Sequence, residues 1–147
     1  MTMHLLKLCV GCDSIKELAD WQAERLKRLK RERKRVELCH RTLQTPKRRD
    51  EILDGGSLYW VIKGFVLVRQ RILDLRPGRK DDGTPCCAIV YDEELVATRP
   101  QARRAFQGWR YLSPADAPAD LRVVTGEDGD MPRAMRADLR ELRLIDF

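Results

Sequence analysis

The chain has 147 residues, 43% hydrophobic and 35% charged, a balance that excludes a disordered polypeptide and makes one α+β or similar globular domain spanning residues 1–147 the expectation. Its net charge of +6 is local: between Lys27 and Arg35 seven basic residues face only Glu32, leaving 22 basic and 22 acidic residues elsewhere. No uncharged run, whether residues 55–62 or 83–91, comes near the roughly 20 apolar residues that span a bilayer.

In chain order, residues 4–10 are short, apolar and lead into Gly11, which predicts a first strand. Ser14 and Glu17 have capping-box spacing, and Ile15, Leu18, Ala19, Gln22, Leu26 and Leu29 then predict a helix from Ser14 toward Lys34, with Gln22 alone breaking the apolar stripe. Its basic residues Lys27, Arg28, Arg31, Lys34 and Arg35 recur at three- and four-residue steps and predict a ribbon of charge. Residues 36–43 read as a strand and residues 47–53 as a helical turn closed by Gly55.

Residues 56–72 are the most apolar part of the chain, yet they contain Lys63 and end near Arg69, Gln70 and Arg71. Aromatic and β-branched enrichment predicts a strand over 57–62, a tight turn at Lys63-Gly64 and a second strand over 65–75. Arg69 and Arg71 then project from one face, with Asp74, Asp92 or Glu93 as candidate ion-pair partners, while Gln70 points the other way. A polar hairpin loop over 77–85, strands over 86–91 and 95–98, a short helix starting at Ser113, a strand over 121–125 and a terminal helix capped by Asp130 complete the expectation. Without a regular βαβ rhythm, this is an α+β chain: a small curled, largely antiparallel sheet or pseudobarrel with a long N-terminal helix and a short C-terminal one.

No catalytic constellation stands out. His4 and His40 are the only histidines, and neither sits beside a Ser, Asp or Gly-rich element that would suggest a nucleophilic triad or a phosphate cradle. Cys9-Val10-Gly11-Cys12 sits between a strand and a helix, where a thiol-redox pair or half of a zinc site would lie, with Cys39, His40, Cys86 or Cys87 as further ligands. The five cysteines, an odd number, fit a reducing compartment, and no export signal is evident, so a cytoplasmic location without membrane attachment is expected.

The strongest binding signal is the basic ribbon, since clustered Lys and Arg gain affinity for phosphates by releasing counterions. A second zone has Arg99, Arg103, Arg104 and Arg110 without acids, interleaved with Phe106, Trp109 and Tyr111. Aromatics beside arginines can stack a splayed base while the cations hold its phosphates.

The residues Met3-His4-Leu5-Leu6-Lys7-Leu8-Cys9-Val10-Gly11, Pro46-Lys47-Arg48-Arg49, Gly55 to Gly64, Val68 to Ile72 and Phe106-Gln107-Gly108-Trp109-Arg110-Tyr111-Leu112 together resemble a bacterial family catalogued only as a domain of unknown function. That resemblance implies no activity. Tyr59-Trp60-Val61-Ile62-Lys63-Gly64 is also similar to a strand of the PUA-like superfamily, including its EVE and ASCH relatives. This second likeness implies a pseudobarrel that binds RNA or a modified base in a cleft lined by Trp60, Trp109 and Tyr111, with Arg110 and Lys63 at its rim. The combined expectation is a non-catalytic nucleic-acid-binding protein, RNA favoured over DNA, requiring no cofactor. The alternatives are a zinc or thiol protein built on Cys9 and Cys12, and a protein-interaction module with a basic docking helix.

Overall fold

A computed structural model describes residues 1–124, and the terminal helix expected after Asp130 lies outside them. The described chain is α+β: β1 (His4–Leu8), α1 (Ile15–Arg31), β2 (Leu38–Thr42), α2 (Arg49–Leu53), β3 (Ser57–Ile62), β4 (Phe65–Arg79), β5 (Pro85–Tyr91), β6 (Val96–Ala102), β7 (Trp109–Leu112) and β8 (Asp120–Val123). The strands form one mixed sheet in the order β2-β5-β4-β3-β1-β7, with β6 on β4 and β8 on β6. β1 and β3 run parallel and the other pairings are antiparallel. Among the described residues no ladder closes the sheet into a barrel.

The long strand β4 organises this sheet. Its first half pairs with β3 on one edge and β6 on the other, and its second half pairs with β5. β3 is therefore covered on both faces and all six of its residues are buried, which accounts for a continuous apolar run where a half-solvated strand would alternate. One face of the sheet contributes Leu5, Leu58, Trp60, Ile62 and Val68 to the main core with Ile15 and Leu18 of α1. The other contributes Leu6, Tyr59, Val61, Val66 and Leu112 to a smaller core.

Local chemistry sets the element ends. The Ser14 hydroxyl accepts from the Glu17 amide at 3.1 Å, and the Glu17 carboxylate accepts from the Asp13 amide at 2.8 Å, so the helix start is capped nearly as the spacing predicts. The helix stops at Arg31 and does not reach Lys34, because Arg33 adopts φ 56° and the Lys34 amide folds back to the Leu29 carbonyl at 2.9 Å. This is a Schellman closure with arginine where glycine is usual. Lys63 and Gly64, at φ 49° and 85°, form the predicted two-residue turn between β3 and β4.

Four expectations need correction. β4 continues to Arg79 because Pro77, Gly78 and Arg79 pair with Cys87, Cys86 and Pro85, which shortens the loop to a turn closed by Lys80 and Thr84. β6 runs on to Ala102, held by the partners of Phe65 and Val66 on β4. Ser113 starts no helix: its hydroxyl donates to the Asp116 carboxylate at 3.0 Å, in a turn that Pro118 follows. Residues 109–112, unassigned from sequence, form edge strand β7.

Arg69 and Gln70 project from opposite faces as the strand period requires. Arg69 is neutralised by Asp120, with N–O distances of 2.8 and 2.6 Å, and by none of Asp74, Asp92 or Glu93. Gln70, fully buried, exchanges amide hydrogen bonds with buried Gln22 at 2.9 and 2.7 Å, donates to the Asp92 carbonyl at 2.9 Å and accepts from Trp60 Nε1 at 2.8 Å. The apparent flaw in the helix stripe is thus the anchor that fixes α1 to the sheet.

Leaving a buried donor or acceptor unpaired costs about 1–3 kcal/mol. Gln22→Leu is expected to lower unfolding free energy by that amount, and Gln70→Leu by more, since it strands both Gln22 and the Trp60 indole. Urea midpoints measure this; two variants indistinguishable from wild type would refute it. Gly56 is a second sensitive point, because a Cβ there would lie 2.2 Å from the Met3 carbonyl oxygen and 2.3 Å from that of Ile52. Gly56→Ala is expected to destabilise by about 1–3 kcal/mol or more, read by the same midpoint.

Candidate functional site

A cleft of about 920 Å³ opens where the β1–α1 loop, the flank of α1 and strand β2 meet. Trp60 and Tyr91 are buried in its floor. Trp60 meets His40 edge-on at 6.0 Å and Tyr91 at 5.8 Å, and its indole N–H is already committed to Gln70. At the mouth stand Val10, 88% exposed, and Trp21, 50% exposed.

The helical period sets Trp21, Arg25 and Arg28 on one flank of α1, beside the buried face of Ile15, Leu18 and Gln22. The Arg25 guanidinium lies 5.4 Å from the Trp21 ring centroid, a cation–π distance. Its Nε is buried and has no hydrogen-bond partner among the described residues. A buried N–H of a cation left unpaired is costly, and Arg25 is the one residue with such a side-chain atom among the described residues.

His40 carries the complementary signature. Burial, and then the charges of Lys7 and Arg25, push its imidazole down to about 4, so it is neutral near pH 7 and offers one donor and one acceptor. Burial also lowers Lys7 and raises the Tyr91 phenol. The cleft thus combines neutral aromatic walls, a neutral imidazole and the cations Arg25 and Arg41. Among the described residues that line it, the one carboxylate, Glu17, accepts the Asp13 amide at the helix cap.

Cys9, Cys12 and Cys39 also line it, all as free thiols. Burial, followed by a hydrogen bond with Cys12, pushes the Cys9 thiol well above the ordinary range, the reverse of what an activated nucleophile needs. Among the described residues no group of three or more His, Cys, Asp or Glu is arranged to hold a metal ion.

A second, shallower cleft of about 360 Å³ adjoins the first through Arg41, and Lys7, Gln107 and Trp109 line it. Lys7 lies opposite Trp60 on β3 and opposite Trp109 on β7, so the three side chains share one sheet face. Trp109 is pinned by a 2.6 Å hydrogen bond from its indole N–H to the Gln44 carbonyl.

The expected site residues are therefore divided. Trp60 and Trp109 occupy neighbouring clefts. Tyr111 shares their face, but its hydroxyl accepts from the Lys47 and Arg48 amides at 2.9 and 3.3 Å, and the Arg48 guanidinium covers its ring; it anchors that loop. Arg110 alternates to the opposite face and lies 5.3 Å from the Phe106 ring, so it is not at the rim. Lys63 is in the β3–β4 turn, joined by Arg103, whose amide donates to the Gly64 carbonyl and whose guanidinium donates to Gln101. Arg104 is exposed nearby in sequence and lines neither cleft.

The basic ribbon is also divided. Lys27, Lys30 and Arg31 face away from the sheet, whereas Arg28 continues the Trp21–Arg25 flank, and Lys34 lies beyond the end of α1. Arg31, Lys34 and Arg35 are partly neutralised by Glu24, Glu32 and Glu37 at 3.4, 3.2 and 3.2 Å. Trp21, Arg25, Arg41 and Tyr91 escaped sequence reasoning, and His40 was weighed there only as a base or a further metal ligand; the four-residue spacing of Trp21 and Arg25 was the one local signal.

His40 links this site to stability. Between its ordinary value of 6.5 and about 4, the unfolded chain takes up a proton that the folded chain does not, so stability falls as pH drops through that window. In His40→Gln that component vanishes, and the loss of urea midpoint between pH 7 and 4.5 is expected to be smaller than in wild type. Equal losses would contradict the assignment.

No helix among the described residues is long and apolar enough to cross a membrane. No curated protein and no solved structure matches the chain. The family model described as "Protein of unknown function (DUF1489)" matches residues 5–145, almost the entire length, and the chain belongs to that family.

Proposed function

We propose that the protein binds single-stranded RNA, with an unstacked base entering the larger cleft beside Trp21 and phosphates drawn to Arg25, Arg28 and Arg41. The observation that carries this reading is Arg25: a guanidinium over an exposed tryptophan, with a buried N–H that no group among the described residues satisfies. Arg–aromatic pairs of this kind both stack bases and attract phosphate. Neutral His40 and the Tyr91 hydroxyl add uncharged groups suited to base edges, and no acidic side chain among the described lining residues besides the capping Glu17 opposes an anion.

The outer charges of α1, Lys27, Lys30 and Arg31, with Lys34 just beyond its end, act at longer range, raising the encounter rate and the salt dependence without reading the base. This reading includes the PUA-like likeness of Tyr59 to Gly64 and a cytoplasmic setting in which RNA is at hand. It assigns the chain recognition, not catalysis, since burial opposes ionisation of Cys9, the thiol that nucleophilic or redox work would need as thiolate.

Purified protein titrated with labelled single-stranded RNA, duplex RNA and DNA across a salt series tests this. Single-stranded RNA is expected to bind best. Arg25→Gln should weaken it by about ten- to a hundredfold, the loss of one charge-assisted hydrogen bond. A Lys27/Lys30/Arg31 triple alanine variant should lower the salt slope, by about 0.7 for each phosphate that the helix no longer neutralises, while leaving base preference intact. Preference for deoxyribose or duplex would redirect the reading to DNA. No binding at near-physiological salt, or equal affinity of wild type and Arg25→Gln, would overturn it and leave the basic helix as a surface for an acidic protein.

A further inference from the structure

We infer that the two clefts are consecutive subsites for one strand, so that the smallest unit fully recognised is a dinucleotide whose bridging phosphate sits at Lys7 and Arg41. The inference rests on the nucleic-acid reading of the larger cleft and extends it to a site that reading does not use.

Register carries the argument. Lys7 is the cross-strand partner of Trp60 on one side and of Trp109 on the other. Neighbouring strands are about 4.8 Å apart, which sets the two tryptophan backbones roughly 10 Å apart, on one face, with the lysine midway. That span is well beyond the ~3.4 Å step between stacked nucleotides. A base in the cleft floored by Trp60 and a second base on Trp109 are splayed apart, as in an unpaired strand, and their linking phosphate falls over the lysine.

The side chains suit those roles. Lys7 commits at most one of its three N–H donors, to the Gly108 carbonyl at 3.5 Å, leaving others for phosphate oxygens. Arg41 is exposed and lines both clefts, so it marks the point where a strand passes from one to the other. Trp109 is held by the Gln44 carbonyl and packed edge-on against Tyr111 at 4.8 Å. A stacking surface fixed before binding loses little entropy when a base docks on it. Gln107 beside it offers an amide that can pair with a base edge.

The test compares binding of a ribonucleoside 5′-monophosphate, a ribodinucleotide and a ribotrinucleotide to the full chain by titration calorimetry. The dinucleotide is expected to bind at least about tenfold more tightly than the monophosphate, with little further gain for the trinucleotide. Lys7→Gln should remove most of that gain while leaving monophosphate affinity nearly unchanged, whereas Arg41→Gln, which lines both clefts, should weaken both ligands. Trp109→Leu should act as Lys7→Gln does, with its urea midpoint measured alongside; Trp109→Phe, which keeps a stacking face, should restore part of the gain. Equal affinity for monophosphate and dinucleotide would overturn the second subsite while leaving the first intact. Failure of both to bind would overturn the underlying reading of the larger cleft as well.

Discussion

The larger cleft depends on one buried amide pair, Gln22 against Gln70. A side-chain amide has four hydrogen-bonding positions and cannot be buried without satisfying most of them. Gln70 meets the demand with Gln22, the Asp92 carbonyl and the Trp60 indole. Those partners belong to α1, to the segment between β5 and β6, and to β3, while Gln70 itself belongs to β4. Packing of leucines alone would permit α1 to slide or rotate on the sheet at modest cost. The directional pair removes that freedom.

The consequence reaches the cleft through two routes. Trp60 is held by its N–H, so the face it presents to His40 and Tyr91 is set by the same oxygen that binds Gln22. The rotation of α1 is fixed by Gln22, and with it the side on which Trp21 and Arg25 emerge, one residue back and three residues on. Had the helix turned by one residue step, Arg25 would be in solvent with its Nε hydrated, and the cleft would lose both its unpaired donor and the charge that helps keep His40 neutral. The buried amide network thereby orients a site as well as a helix, a common reason for polar groups to persist in a core.

How much of this was readable from sequence follows the range of the interactions. The helix cap at Ser14, the Lys63-Gly64 turn, the opposed directions of Arg69 and Gln70 and the aromatic and β-branched enrichment of residues 57–62 all depend on neighbours within a few positions, and each is visible in the chain. What escaped depends on partners far away. Gln22 reads as an interruption until Gln70, 48 residues on, supplies its partner, and Asp120 neutralises Arg69 from 51 residues away. Arg110 stands next to Trp109 in sequence and so reads as part of the same site, yet a strand's two-residue period sends neighbours to opposite faces. Recognising residues 109–112 as a strand was the missing step, and Phe106-Gln107-Gly108 before it looks more like a turn than a ladder.

The same logic separates attraction from recognition in the basic helix. Arg33 closes α1 in a left-handed conformation that glycine adopts more easily, and the charges around it lie on the outer side, partly matched by Glu24, Glu32 and Glu37. Exposed pairs of this kind contribute little to stability, so the segment's composition is not explained by folding. Nor is it positioned for readout, since Lys27, Lys30 and Lys34 line neither cleft. A long-range field that draws in an anionic strand needs neither geometry nor burial, only charge density. Arg25 and Arg28, on the inner flank, are where that field meets a surface with shape. Density of charge on one side of a helix and directional donors on the other is what separates capture of a polyanion from selection among its bases.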